Sequence, residues 1–234
     1  MEQGDGNRGR KTGLLGALRA RTTSWAETSE RISSGRERRY ERFLALCAVK
    51  SEERILDVGA GTGAALERFN SVNPIVAVDL FEPIREGWLA QPNVEVGRAD
   101  GTELPYKDGE FPVAFSNSVI EHVPKDRQAR FASEISRVAD RYYVQTPNRY
   151  FPIEPHYQLP LVQFLPERVL KALNKRFSFG FREKGRWEPV RLLSARELQR
   201  LFPDAEIHRE KLFGLTKSLM AVRAASPGGV KPTS

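Results

Sequence analysis

Cysteine is almost missing from this chain: its 234 residues include one, Cys47. That excludes an intramolecular disulfide and any zinc site built from several cysteines. Within "FLALCAV" Cys47 reads as a small buried side chain rather than a reactive thiol. Long apolar runs are also missing, and nothing approaches the ~18 residues of a membrane-spanning helix. The basic N-terminus lacks the apolar stretch of a secretory signal. Glu2 and Asp5 argue against a transit peptide, although "GRKTGLLGALRARTTS" has some of that character. The expected setting is therefore the reducing cytoplasm. There is no internal repeat. The length suits one α/β domain with a full core plus tails or an insert.

Acidic residues are outnumbered, giving a net charge of +7. The excess is uneven: residues 147–191 hold nine Lys/Arg against four Glu, and residues 1–42 hold ten against six acidic residues. A basic excess confined to these regions implies an anionic partner near them or simply a solvated surface. Residues 1–35 are rich in Gly, Arg, Ser and Thr with little apolar periodicity, and are expected to be a mobile tail. The Pro/Gly-rich residues 225–234 are expected to be a second, disordered tail.

Between the tails, elements alternate. "RERRYERFLALCAV" places Tyr40, Phe43, Leu44 and Cys47 on one helical face. "RILDVGA", "PIVAVDL", "VEVGRAD", "PVAFSNS" and "RYYVQTP" read as strands. "GAALERFN", "PIREGWLA" and "KDRQARFASEISRVA" read as helices between them. Such alternation predicts βαβ units and a parallel sheet. "SARELQRLFPDA" predicts a helix whose N-cap Ser194 and Glu197 make a capping box. "EIHREKLFG" and "KSLMAVR" are the closing strands. Residues 147–191 interrupt the pattern with eight aromatic residues and several prolines. Within that insert, "LVQFLPERVLKALNKRF" places Leu161, Val162, Leu165, Val169 and Leu173 near one helical face.

"RILDVGAGTG", residues 54–63, is the first motif that carries chemistry. A strand, then glycines, then a helix brings backbone N–H groups close to a ligand. Gly59, Gly61 and Ala64 also fit the dinucleotide fingerprint. Asp57 argues against that reading, because its carboxylate would repel a pyrophosphate and welcome a cationic ligand. Asp79, twenty residues past Gly59, can accept from both hydroxyls of a ribose in either case.

"GRADGTELPYKDGEFPVAFSNSVIEHV", residues 97–123, resembles a block of the class I S-adenosylmethionine-dependent methyltransferases. The likeness is to their type 11 small-molecule branch, which includes ubiquinone- and menaquinone-biosynthesis enzymes. "VQTPNRYFPIEPHYQLPLVQFLP" resembles a subset of the same enzymes, so the likeness spans about Tyr40 to Arg223. One departure is Pro112, where the family usually has Asp. The resemblance implies a Rossmann-like α/β fold over residues 36–224: a mostly parallel seven-stranded sheet with an antiparallel last strand and helices on both faces. It implies S-adenosyl-L-methionine as cofactor, held by Asp57, Gly59, Ala60, Gly61 and Gly63, by Asp79 and Leu80, by Asp100 and Gly101, and by Asn117 and Ser118. Among these, Asp100 would accept from the adenine amino group, and Asn117 and Ser118 would approach the methionine part.

Methyl transfer from a sulfonium needs alignment and exclusion of water more than a dedicated side chain. A base is needed when the acceptor must lose a proton. His156, in "PIEPHYQLP", and His122, just past the fourth strand, are the catalytic candidates; Glu121 and Tyr157 are lesser ones. His208 alternates with apolar residues on a late strand and is expected to be merely exposed. The insert is expected to form the acceptor pocket or lid, and its basic amphipathic segment reads either as an ordinary packed helix with a solvated face or as an anionic or membrane-surface contact. The expected acceptor is a small phenolic, quinone-precursor, lipid-like or acidic metabolite. The alternatives are a nucleic-acid methyltransferase, an NAD(P)-dependent oxidoreductase and a non-catalytic partner module. "SNSV" after the fourth strand lacks the Asn/Asp-Pro-Pro-aromatic motif of the first, and no hydride-transfer constellation supports the second. The third would be expected to have lost Gly59, Gly61 or Asp79. No metal is implied.

Overall fold

A computed structural model describes residues 37–61, 63, 65–69, 73–80, 91–177 and 189–224. The expected tails and the helix "PIREGWLA" lie outside these residues. Helix α1 covers residues 37–46. It is followed by β1 (Ile55–Val58), α2 (Leu66–Phe69), β2 (Ile75–Asp79), β3 (Val94–Arg98) and β4 (Phe111–Asn117). Next come α3 (Gln128–Val138) and β5 (Ala139–Pro147). The insert holds the short pair β6 (Ile153–Glu154) and β7 (Leu159–Pro160), a 3₁₀ turn at Val162–Phe164 and α4 (Glu167–Arg176). Helix α5 (Ala195–Leu201) and strands β8 (Glu206–Leu212) and β9 (Leu215–Arg223) close the chain.

Seven strands form one sheet in the order β3-β2-β1-β4-β5-β9-β8. The first five are parallel, and β9 runs antiparallel to both its neighbours. The expected seven-stranded Rossmann-like sheet, closed by both late strands with the last one antiparallel, is thus present. The chain order reverses between β1 and β4, and ligands in open α/β sheets bind at the carboxyl edge of such a switch point.

The four residues of β1 are all buried, as a central parallel strand covered on both faces requires. Leu56 and Val58 join Val76, Phe131, Ile135 and Leu198 on one face. Ile55 joins Phe43, Phe69, Phe115 and Tyr143 on the other. Phe43 lies within 5.4 Å of Phe69 and 4.9 Å of Phe115, ring centre to ring centre. Cys47 is buried here, and burial pushes its thiol up to about 12, against a weaker lowering by Arg141. It is an inert core side chain.

Helix α3 presents Phe131, Ile135 and Val138 to the sheet and starts at Gln128, later than its sequence pattern suggests. Pro124 sets up a preceding turn whose carbonyl accepts from the amides of Arg127 and Gln128. The "LPYKDG" block is clamped by this helix. Arg137 donates to the carbonyls of Leu104 and Tyr106 and to Asp108, while Glu134 accepts from the Leu104 amide. Pro112 fits because β1 begins to pair with β4 only at Val113. The capping box of α5 forms as expected. His208 is half-buried on β8, not fully exposed, 3.5 Å from Glu206.

The expected amphipathic helix from Leu161 is broken. Leu161 is left-handed (φ 58°), and Pro166 holds Leu165 extended, so the α-helix begins at Glu167. Most of its apolar positions are not buried: Leu161, Leu165 and Val169 are exposed and Leu173 is half-buried, Val162 is buried in the 3₁₀ turn, and Asn174 is the residue of α4 that packs inward.

Candidate functional site

The carboxyl ends of β1, β2, β3 and β4 converge at the switch point, and the expected donor-binding residues stand there. The chain leaves β1 through Gly59 (φ 80°), Gly61 (φ 55°) and Gly63 (φ 79°), three left-handed positions that glycine alone adopts without strain. The amides of Gly59 and Ala60 both donate to the Val78 carbonyl, tying the loop to β2. A Cβ on Gly59 would lie 2.3 Å from Val119, whereas one on Gly61 would meet nothing within 4 Å among the described residues. Space therefore remains beside Gly61 for a ligand.

Asp57 is 2% exposed at the end of β1, and its Oδ2 has no hydrogen-bond partner among the described residues. Burial pushes its carboxyl up to about 7, and the negative charge of Asp79 adds to the rise. A buried acid in this state is poised to receive a cation. Asp79 Oδ2 accepts from the Gly61 amide at 2.9 Å, so this acid shapes the loop. Leu80 follows it half-buried, its carbonyl accepting from Arg98.

Asp100 is more occupied than its sequence context suggests. Its Oδ1 accepts from the amide and hydroxyl of Thr102, and its Oδ2 accepts from Arg127 at 3.0 Å. Burial raises this carboxyl, but the bonds from Thr102 and the Arg127 guanidinium outweigh it and hold it below its ordinary value. Gly101 is demanded by packing: a Cβ would lie 2.6 Å from the Phe131 ring and 3.1 Å from Val58. Asn117 ends β4 half-buried. Ser118 is left-handed (φ 59°), with its hydroxyl donating to Gln145 Oε1 at 2.9 Å.

The two candidate histidines meet, although 34 residues separate them in sequence. The rings of His122 and His156 are 5.0 Å apart and nearly perpendicular at 86°. His156 Nδ1 is 2.6 Å from Glu154 Oε1, and the other oxygen of Glu154 accepts from the Tyr157 amide at 2.6 Å. Glu121 is fully buried beside them, its Oε2 accepting from the Thr146 hydroxyl at 3.0 Å. Glu154, Thr146, Gln145 and Arg127 escaped the sequence reading. A carboxylate two residues before His156 was the signal for Glu154; the other three are placed by tertiary contacts alone.

Together, the sheet order, the glycine turn at its switch point and the buried acid beside it define a Rossmann-like domain with a candidate ligand site at the carboxyl edge of its sheet. Residues 56–141 match the family described as "Methyltransferase domain". A probable S-adenosylmethionine-dependent methyltransferase of Mycobacterium tuberculosis is 33% identical over 115 residues, 47% of this chain and 40% of that protein. A demethylmenaquinone methyltransferase of Renibacterium salmoninarum is 29% identical over 106 residues, 44% of each chain. The matched region therefore spans less than half the length of these relatives. Among solved structures, the magnesium protoporphyrin IX methyltransferase of Synechocystis PCC 6803, crystallised with bound SAH, aligns with a TM-score of 0.55. That alignment covers 91% of this chain and 96% of that one at 14% identity, a likeness of fold.

Proposed function

We propose that this chain is a methyltransferase that moves the methyl group of S-adenosylmethionine to a small-molecule acceptor. The observation that carries the reading is the buried Asp57 carboxylate, whose Oδ2 has no described partner, beside the open Gly61 turn. A sulfonium donor with an ammonium group supplies the positive charge that this acid calls for, and no phosphate that it would repel. Asp57 and residues 59–63 would hold the amino acid part, Asp79 and Leu80 the ribose, Asp100 and Gly101 the adenine, with Asn117 and Ser118 along the methionine. When bound, the donor supplies an activated methyl group; the chain's own part is to bind, align and exclude water.

His122 and His156 are assigned to the acceptor side, where Glu154 fixes the orientation of the His156 ring. A cavity of about 180 Å³ shares Glu154 with His156 and is lined also by Arg149, Tyr157, Leu165, Leu170 and Arg191. Its walls combine apolar side chains with Glu154, Glu167 and two ion-paired arginines, Arg149 with Glu197 and Arg191 with Glu167, which suits a polar, phenolic acceptor. Around it the chain exposes Tyr150, Leu161, Phe164 and Phe177, with Arg168, Lys171 and Lys175 nearby in sequence. The β8–β9 turn adds Phe213 at the same carboxyl edge, 95% exposed. An apolar rim with cations favours a lipid-like acceptor at an anionic membrane surface over nucleic acid.

The test is the melting temperature with S-adenosylmethionine, S-adenosylhomocysteine and NADH in parallel. At ~100 times its dissociation constant a ligand stabilises by ~2.7 kcal/mol, which is a rise of several degrees for a domain of this size. Stabilisation by both sulfur ligands and none by NADH is expected, and Asp79→Ala should weaken donor affinity at least tenfold. Stabilisation by NADH alone would replace this reading with the oxidoreductase one.

A further inference from the structure

We propose that Glu121, His122 and His156 form a binding site for a divalent first-row metal ion of the zinc type. One ligand atom from each residue lies within 4.8 Å of the others, so a small contraction brings all three around one ion. Two imidazoles and a carboxylate are the protein ligands of open zinc sites that keep a further position for water or substrate. The separation of the two rings fits this use. With Zn–N near 2.0–2.1 Å and a tetrahedral angle, two coordinating imidazoles have centres roughly 5 Å apart; here they are 5.0 Å apart.

The surroundings are those of a metal site too. Ligating histidines commonly donate their second ring nitrogen to a carboxylate, which fixes the tautomer and raises the basicity of the first. His156 has this arrangement: Nδ1 lies 2.6 Å from Glu154, itself 3% exposed and held by the Tyr157 amide. That leaves Nε2 for an ion. Glu121 is likewise oriented by Thr146 at the end of β5. His122 is exposed, so the open coordination positions face outward on the acceptor side. Glu121 and His156 are thus each oriented by a hydrogen bond, and His122 stands on the exposed side of the group.

The purpose of the ion, though not its binding, rests on the methyltransferase reading. It would hold an oxygen of a phenolic, enolic or carboxylic acceptor. A hydroxyl would release its proton to water on binding. The oxygen would then take the methyl group as the C–S bond breaks, and neutral S-adenosylhomocysteine would leave. In that state the two histidines act as ligands and the ion provides the acidity.

The experiment titrates the full chain, after treatment with chelator, with Co²⁺ and follows visible d–d absorption, with Zn²⁺ as competitor. One Co²⁺ per chain, displaced by Zn²⁺, is expected. The signal should be lost in His122→Ala and His156→Ala and should need 10–100 times more Co²⁺ in Glu154→Gln, a range of about 10–100-fold being usual for such supporting partners. His122 is exposed, so its variant keeps the fold, checked by retained stabilisation with S-adenosylhomocysteine. That control separates the two readings: Co²⁺ bound without any response to S-adenosylhomocysteine would sink the donor assignment and leave the metal site standing. No d–d absorption in the wild type, or absorption unchanged in both histidine variants, would overturn the site.

Discussion

Replacing Asp57 by Asn should remove a pH dependence that the wild-type protein shows both in stability and in donor binding. The Asp57 carboxyl rises from 3.8 to about 7 because it is buried beside Asp79. At about 1.36 kcal/mol per pH unit, ionising it in the folded, ligand-free chain costs about 4 kcal/mol. The folded form therefore holds a proton that the unfolded form gives up near pH 4. Its contribution is fully present below the unfolded value, is lost as pH rises towards 7, and stays lost above that. Asp57→Asn keeps the shape of the side chain without the charge, so the variant should be the more stable protein at pH 8 and no more stable at pH 4. Urea unfolding of both proteins at several pH values measures this, and taking their difference cancels the other titrating groups. Donor binding shows the linked effect. The cationic donor favours ionised Asp57 and displaces its proton below pH 7, so wild-type affinity should strengthen with pH up to about 7 and then level. Asp57→Asn should bind weakly and without that rise, as read by calorimetry across pH. Parallel pH profiles for the two proteins would refute the assignment of the buried acid to the donor's cation.

Gly59→Ala should destabilise the fold by about 2 kcal/mol or more, because its Cβ meets Val119 at 2.3 Å. Gly61→Ala faces open space and should cost only about 1 kcal/mol of backbone strain; equal effects in chemical denaturation would discount the Val119 contact. Ser194→Ala removes a capping box in which the Ser194 hydroxyl accepts from the Glu197 amide, and should cost about 1 kcal/mol by urea unfolding. Phe164→Asp should cut co-flotation with vesicles containing anionic lipid at least tenfold while leaving donor binding intact. Unchanged flotation would remove the insert from any membrane contact.

The elements legible in the sequence are those whose reasons are local. The buried run "ILDV" between a charged loop and glycines can only be a central strand. The left-handed turn is marked because glycine tolerates it, and the cap of α5 because Ser194 and Glu197 stand three apart. The insert is misread from sequence because one local rule overrides another. Leu161, Leu165 and Val169 follow helical spacing, yet Pro166 stops the helix between them, and their exposure follows from what the fold leaves uncovered. Gly101 reads as a neighbour of the adenine ring, but the approach of Phe131 from α3 already requires it.

The sequence by itself determined the alternating architecture, the glycine turn and the acids that end β1 and β2, since each depends on neighbours within a few residues. Only the tertiary structure decided which distant groups share a site. Asp57 becomes an acid held up to about 7 because the packed sheet buries it, and parallel pairing of β1 with β2 adds the negative charge of Asp79. His122 and His156 lie on separate segments, the turn after β4 and the insert after β5. They meet because those two strands are parallel neighbours whose carboxyl ends emerge at the same edge of the sheet. Chain separation carries no record of that proximity; the strand order creates it.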